Sequence, residues 1–170
     1  MTVGQFAEIA VMAILGMFIG RFGFRRTIAI GAFAYFARYL IWGLISLQEP
    51  SGPSVDVSGQ FIWTVPLVIG IFSQLLHGVC YACFFASAYM YVDKIADDDI
   101  RNSAQTVFGI IILGLGPMLA APLLGVLAKI FGEAGVVTDF AGMWLSLAAI
   151  AFITSAVFFV AFTEEAESSI

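Results

Sequence analysis

Five stretches of this sequence, 3–20, 27–47, 61–92, 103–131 and 143–162, run on with few or no charged side chains. A helix needs about 20 apolar residues, at about 1.5 Å each, to cross a hydrocarbon core about 30 Å thick, and all five are long enough. Hydrophobic residues make up 61% of the 170-residue chain and charged residues only 11%. A water-soluble domain carries about a quarter charged residues to cover its surface, so lipid is the expected solvent. The sequence predicts an all-α membrane protein, a single domain over 1–170 built from five transmembrane helices.

The third and fourth stretches exceed one bilayer thickness and contain Pro66, and Gly114, Gly116 and Pro117, so a tilt or local break is expected in each. Residues 48–60 are rich in Pro, Ser and Gly and read as a polar surface turn. Arg21, Arg25 and Arg26 flank the first connection, and Lys94 and Arg101 the third; the second has no cation and the fourth only Lys129 nearby. Lys and Arg are retained in the cytoplasm. This predicts a multi-pass protein of the cell (inner) membrane with its amino terminus outside and its acidic tail, Glu164, Glu165 and Glu167, in the cytoplasm. Carriers are commonly built from paired helix sets, and an odd number of crossings leads us to expect that further helices complete the unit.

Several classes are disfavoured. A net charge of -5 with 7 Lys and Arg argues against nucleic acid, whose phosphates are held by clustered cations. Cys80 and Cys83 are three apart in an apolar stretch with one His nearby, too few ligands for a metal and too apolar a setting for redox work; they read as small packing residues. Asp97 to Asp99 lack the partners a metal site needs, and nothing pairs a nucleophile with a base, so neither an enzyme nor a cofactor is expected. The first stretch does not read as a secretory leader, because Glu8 interrupts it and its positive charges follow it.

Ionisable groups at membrane depth are costly and usually face a cavity, a partner or a permeation path. Gln5 and Glu8 are three apart and share a helix face; so do His77 and Tyr81, four apart; Arg38 lies mid-way along the second stretch. At about 1.5 Å per residue, Glu8 is about 20 Å from Arg21 and Arg38 about 18 Å from Arg26, while Tyr81 and His77 are about 18 and 24 Å from Asp93. Three helices thus bring polar groups to one layer near the midplane, where carriers hold their substrates. Packing roles stay open beside the binding ones. Glu8 and Arg38 suit a structural ion pair, and His77 and Gln5 suit bonds between helices. Tyr35, Phe36, Tyr39, Phe84, Phe85 and Tyr89 suit either a flat ligand or ordinary packing. Gly16 and Gly20 form a G-x-x-x-G pair that admits a close helix neighbour. Asp93 and Asp97 to Asp99, beside Arg101, are placed either to latch onto Arg21, Arg25 and Arg26 or to remain a solvated loop.

The run Gly16, Met17, Phe18, Ile19, Gly20, Arg21, Phe22, Gly23, Phe24, Arg25, Arg26 resembles the cytoplasmic loop signature of the major facilitator superfamily, G-x-x-x-D-R-x-G-R-R, with Gly20 in place of the acid. Other features are Gly4-Gln5-Phe6-Ala7-Glu8-Ile9, Arg38 within an aromatic helix and His77-Gly78 followed by Tyr81. Further on, Tyr91-Val92-Asp93-Lys94 leads to Arg101-Asn102-Ser103-Ala104-Gln105. Together these look like the nucleoside/proton symporter family of that superfamily, from residue 4 to about 163, corresponding to the last five of twelve helices.

The resemblance implies proton-coupled nucleoside uptake, with a nucleoside and a proton as partners alongside the lipid bilayer and the preceding helices of the carrier. It implies that Gln5 and Glu8 bind substrate, and that the family's aromatic pair falls on His77 and Tyr81. His77 replaces a tyrosine-type ring by an imidazole, and an acid that can follow the second ring is here Ala82. Glu8 with Arg38 is the expected proton-coupling pair, and Arg21, Arg25, Arg26, Asp93 and Arg101 the expected cytoplasmic gate. The alternatives are a carrier of another small polar solute, such as a sugar or a nucleobase, and a non-transporting assembly subunit.

Overall fold

The computed structural model describes residues 2–48, 64–133 and 136–163. The polar turn beyond Gln48, the first residues of the third stretch and the three tail glutamates lie outside the described residues. Helices α1 (Thr2–Gln48), α2 (Val65–Ile95), α3 (Arg101–Ile130) and α4 (Phe140–Ala161) are each long and apolar enough to cross a membrane. Between α3 and α4 a short antiparallel ladder joins β1 (Gly132–Glu133) to β2 (Val136–Val137). This ladder departs from the all-α expectation, and glycine permits it: a Cβ on Gly132 would stand 2.3 Å from the Val136 carbonyl oxygen.

As a straight rod the 47 residues of α1 would measure about 70 Å, more than twice the hydrocarbon core. Gly23 prevents that. It has φ 76° and ψ 170°, a region in effect reserved for glycine, and it divides α1 into arms 2–22 and 24–48. The Gly23 carbonyl accepts the hydroxyl of the fully buried Thr27 at 2.7 Å. Both arms reach the same turn of α2. Glu8 and Gly4 approach Gly78 and His77, and Arg38 also reaches His77. Residues 8 and 38 would be about 45 Å apart on an unbroken helix, so the chain doubles back at Gly23.

The arm 24–48 is the centre of the packing. Along one side it runs antiparallel to α2, with Gly31 against Phe84, Arg38 against His77 and Trp42 against Gly70. Along the other it runs antiparallel to α4, with Arg25 at Phe159, Phe36 at Phe152 and Gly43 at Leu145. The buried positions are mostly small: Thr27, Ala32, Ala34, Cys80, Ala82, Cys83, Ser87 and Ala148. Between helices in lipid, small residues let backbones approach and dispersion do the holding, and most of the large apolar side chains point outward, with Leu15, Phe24, Ile28, Ile45 and Leu127 the buried ones among the described residues.

Local chemistry sets the helix ends. Thr64 Oγ1 accepts the Leu67 N–H at 3.3 Å and Pro66 lies in the first turn of α2, where a missing N–H costs nothing. The break expected at Pro66 is therefore absent; the irregular turn of α2 is a π-helical segment at Cys80–Ala86. In α3 the π-helical turn Ile111–Leu115 falls directly before Gly116 and Pro117, where a proline ring displaces the carbonyl four residues back. Asp139 Oδ1 accepts the Gly142 N–H at 2.9 Å and opens α4. Helix α3 touches α2 near its start, through Tyr89 and Phe108 (ring centroids 5.0 Å apart). In its second half, Gly116–Ile130, Leu127 alone is buried.

Candidate functional site

Gly78 shapes the site first. A Cβ there would stand 2.4 Å from the Glu8 backbone nitrogen, and one on Gly4 would be 3.2 Å from His77 Cδ2. Two glycines, one on each helix, thus let the Glu8 turn and the imidazole share a layer. From the other side Arg38 Nη1 donates to His77 Nδ1 at 3.3 Å and Nη2 donates to Gln74 Oε1 at 3.3 Å. Arginine has only donors, so Nδ1 is the accepting nitrogen and His77 Nε2 carries the proton. Arg38 Nε is buried without a hydrogen-bond partner among the described residues.

Glu8, Arg38 and His77 are therefore brought together. The ion pair open to Glu8 and Arg38 is not formed among the described residues; the guanidinium turns to His77 and Gln74 instead. Gln74 was missed in the sequence, although it lies three residues before His77 and so on the same face. Gln5 is exposed beside Gly4. Tyr81 is 40% exposed, one turn from His77, with its ring 5.7 Å from that of Phe85.

The other rings pack. Tyr35 meets Phe84 and Phe85 edge-on, Tyr39 stacks on Trp144 with centroids 5.9 Å apart, and Phe36 meets Phe152. Gly16 and Gly20 face open space, with nothing within 4 Å of an added Cβ; the close helix approaches fall at Gly31, Gly43 and Gly78 instead. Cys80 and Cys83 are free thiols, 0% and 1% exposed. Among the described residues no three His, Cys, Asp or Glu cluster as metal ligands would.

Of the expected gate, one side assembles. Asp93 Oδ1 accepts from Gln105 Nε2 at 2.7 Å and lies 3.7 Å from Arg101 Nε, while Arg101 Nη2 pairs with Asp98 at 2.7 Å. Arg25 donates to the Phe159 carbonyl near the end of α4 and lies over its ring at 4.9 Å, and Arg21 lies over Phe22 at 5.7 Å.

Apolar helices that double back at Gly23 and bring the Arg38 guanidinium, the His77 imidazole and the Glu8 turn to one layer define a helical, multi-pass membrane bundle. The crystal structure of the nucleoside transporter NupG superposes with a TM-score of 0.73, over 96% of this chain and 36% of that one, at 20% identity, a likeness of fold. The chain belongs to the nucleoside/proton symporter family: the family model described as Nucleoside H+ symporter matches residues 1–167. Among relatives, YegT of Escherichia coli (strain K12), whose name assigns it to nucleoside transport, is 33% identical over 100% of this chain and 38% of its own length. The xanthosine permease of the same organism is 25% identical over 95% of this chain and 35% of its length. The chain thus spans little more than a third of the relatives it matches, and with its apolar helices it is a multi-pass membrane protein.

Proposed function

We propose that this chain forms the carboxy-terminal part of a proton-coupled nucleoside carrier of the cell (inner) membrane. The observation that carries the reading is the Glu8–Gly78–His77–Arg38 junction, a carboxylate, an imidazole and a guanidinium at one depth of an apolar bundle. A nucleoside offers ribose hydroxyls and a flat base. Glu8 and Gln5 suit the hydroxyls, and His77 and Tyr81 suit the base by stacking and hydrogen bonding. Glu8 is the proton carrier in this reading, and Arg38 acts on it through His77 rather than by direct contact. Asp93 and Arg101, with Gln105, form the inner latch.

With the reversal at Gly23 the chain crosses five times, amino terminus outside and carboxy terminus in the cytoplasm. The exposed second half of α3 and the outward face of the arm 2–22 are where the remaining helices of the carrier pack. Alternating access needs two helix sets rocking about a central site, so those helices are required partners.

The test is uptake of radiolabelled uridine and adenosine by cells expressing this chain alone and joined to the preceding helices of a relative, with and without a proton uncoupler. Uncoupler-sensitive uptake by the joined protein supports the reading. Uptake that stays fully proton-coupled in Glu8→Gln removes Glu8 from the coupling role. Loss of substrate binding in Glu8→Ala and Tyr81→Ala with the fold intact separates a carrier from an assembly subunit, which would lose assembly instead.

A further inference from the structure

On the face of the arm 24–48 turned away from α2, the residues at helical spacing are Arg26, Ala29, Ile30 and Phe33, and Phe22 lies just beyond the break. Opposite them α4 presents Phe152, Ser155, Ala156 and Phe159. The small residues form a floor and the phenylalanines form walls, giving a groove of about 520 Å³. The phenylalanine walls are half exposed: Phe33 is 51%, Phe152 50% and Phe159 47% exposed.

The charge on this groove is confined to one end. Arg26 lines it and makes no hydrogen bond or ion pair among the described residues. Arg21 covers the Phe22 wall and Arg25 the Phe159 wall. Three of the chain's 7 Lys and Arg thus gather over the mouth of a slot whose remaining lining is apolar apart from the Ser155 hydroxyl, which is turned to the Ala151 carbonyl at 2.6 Å. From Arg26 to Phe33 on one side and from Phe152 to Phe159 on the other the slot is about 10 Å long, roughly a third of the hydrocarbon core.

We infer that this groove binds an anionic phospholipid, one acyl chain between the arm 24–48 and α4 and the phosphate of the headgroup at Arg26, flanked by Arg21 and Arg25. Charge complementarity selects this occupant. An apolar helix of another protein would fill the slot without needing cations at one end, and a free anion would need no slot. Basic pockets between helices at a membrane surface hold anionic headgroups by this combination of charge and depth. The site shares no residue with Gln5, Glu8, Arg38, His77 or Tyr81, and so does not depend on which solute is carried.

Native mass spectrometry of the full chain, released from detergent containing equal amounts of phosphatidylglycerol and phosphatidylcholine, tests it. The chain is expected to retain phosphatidylglycerol preferentially, and Arg26→Gln to cut that preference about fivefold, the effect of one cation near a headgroup. Ala156→Phe fills the floor and is expected to abolish retention with all three arginines in place. Equal retention of the two lipids, or an unchanged preference in Arg26→Gln, overturns the proposal. So does displacement of the lipid by excess inorganic phosphate, which would mark a free-anion site, or a dimer peak lost in Ala156→Phe, which would mark a second copy as the occupant. If Ala156→Phe loses its helical circular dichroism, the Arg26→Gln arm decides alone.

Discussion

Arg38 Nη1 donates to His77 Nδ1 across 3.3 Å, tying the arm 24–48 of α1 to α2 at the layer where Glu8 approaches. The bond selects one tautomer, since a guanidinium cannot accept. The chain has 1 His, so its imidazole nitrogen resonances read this site alone. In ¹⁵N-histidine-labelled protein the Nε2–H tautomer is expected to dominate, and Arg38→Leu should give a mixture of the two tautomers. A dominant Nδ1–H form in the unsubstituted chain would mean that Arg38 does not hold the ring.

Glycine positions that look alike in sequence should behave oppositely. Gly78 meets the Glu8 backbone at 2.4 Å from an added Cβ, whereas Gly16 meets nothing within 4 Å. Backbone cannot rotate aside as a side chain can, so Gly78→Ala must push the two helices apart at a cost of about 1–3 kcal/mol. Gly16→Ala should gain up to about 1 kcal/mol from helix propensity. Thermal unfolding in detergent, followed by circular dichroism, compares them; equal effects would mean that the Gly78 contact does not hold the arms together.

The helices were legible because a bilayer leaves a sequence few options: an apolar run of this length has to satisfy its backbone internally, and 27–47 and 143–162 fell within a few residues of their helices. The layer of Glu8, Arg38 and His77 was legible too, because depth follows from counting residues along a helix. What counting along one helix does not give is azimuth. Whether Arg38 faces Glu8 or His77 depends on how the arms rotate about α2, and that is fixed by Gly4 and Gly78, two glycines no simple motif marks. The G-x-x-x-G spacing pointed to Gly16 and Gly20, but spacing names a face without naming a neighbour. Gln74 was passed over for the same reason, an amide with no charge to draw attention until Arg38 turned toward it.

Asp93, in the last turn of α2, and Asp98, in the loop after it, should differ by burial. Asp93 takes the Gln105 amide at 2.7 Å and lies within 3.7 Å of Arg101, while Asp98, with its side chain 88% exposed, pairs with Arg101 three residues on. An exposed ion pair contributes about 0–1 kcal/mol and is screened by salt, whereas a part-buried hydrogen bond to a charged group contributes about 1.5–3 kcal/mol. Asp93→Ala should therefore lower the unfolding temperature clearly at any salt, and Asp98→Ala only slightly and at low salt. Matching losses would mean that the Asp93–Gln105 contact carries no weight.

The paired thiols test how tightly the central arm and α2 are closed. Cys80 and Cys83 open the π-helical turn at 0% and 1% exposure, and Gly31 on the facing arm lies against the neighbouring backbone, an added Cβ there meeting the Phe84 nitrogen at 2.4 Å and the Cys83 carbonyl carbon at 2.7 Å. Thiol alkylation needs an accessible thiolate, and this contact supplies neither water nor room. A water-soluble maleimide is expected to leave both cysteines unlabelled in the folded chain and to label both after denaturation in dodecyl sulfate. Gly31→Ala, which forces the two backbones apart, should make labelling of the folded protein measurable. If the unsubstituted chain is labelled as readily as that variant, the contact at Gly31 opens on its own, and the close packing on which Arg38 relies to reach His77 is not a lasting feature of the bundle.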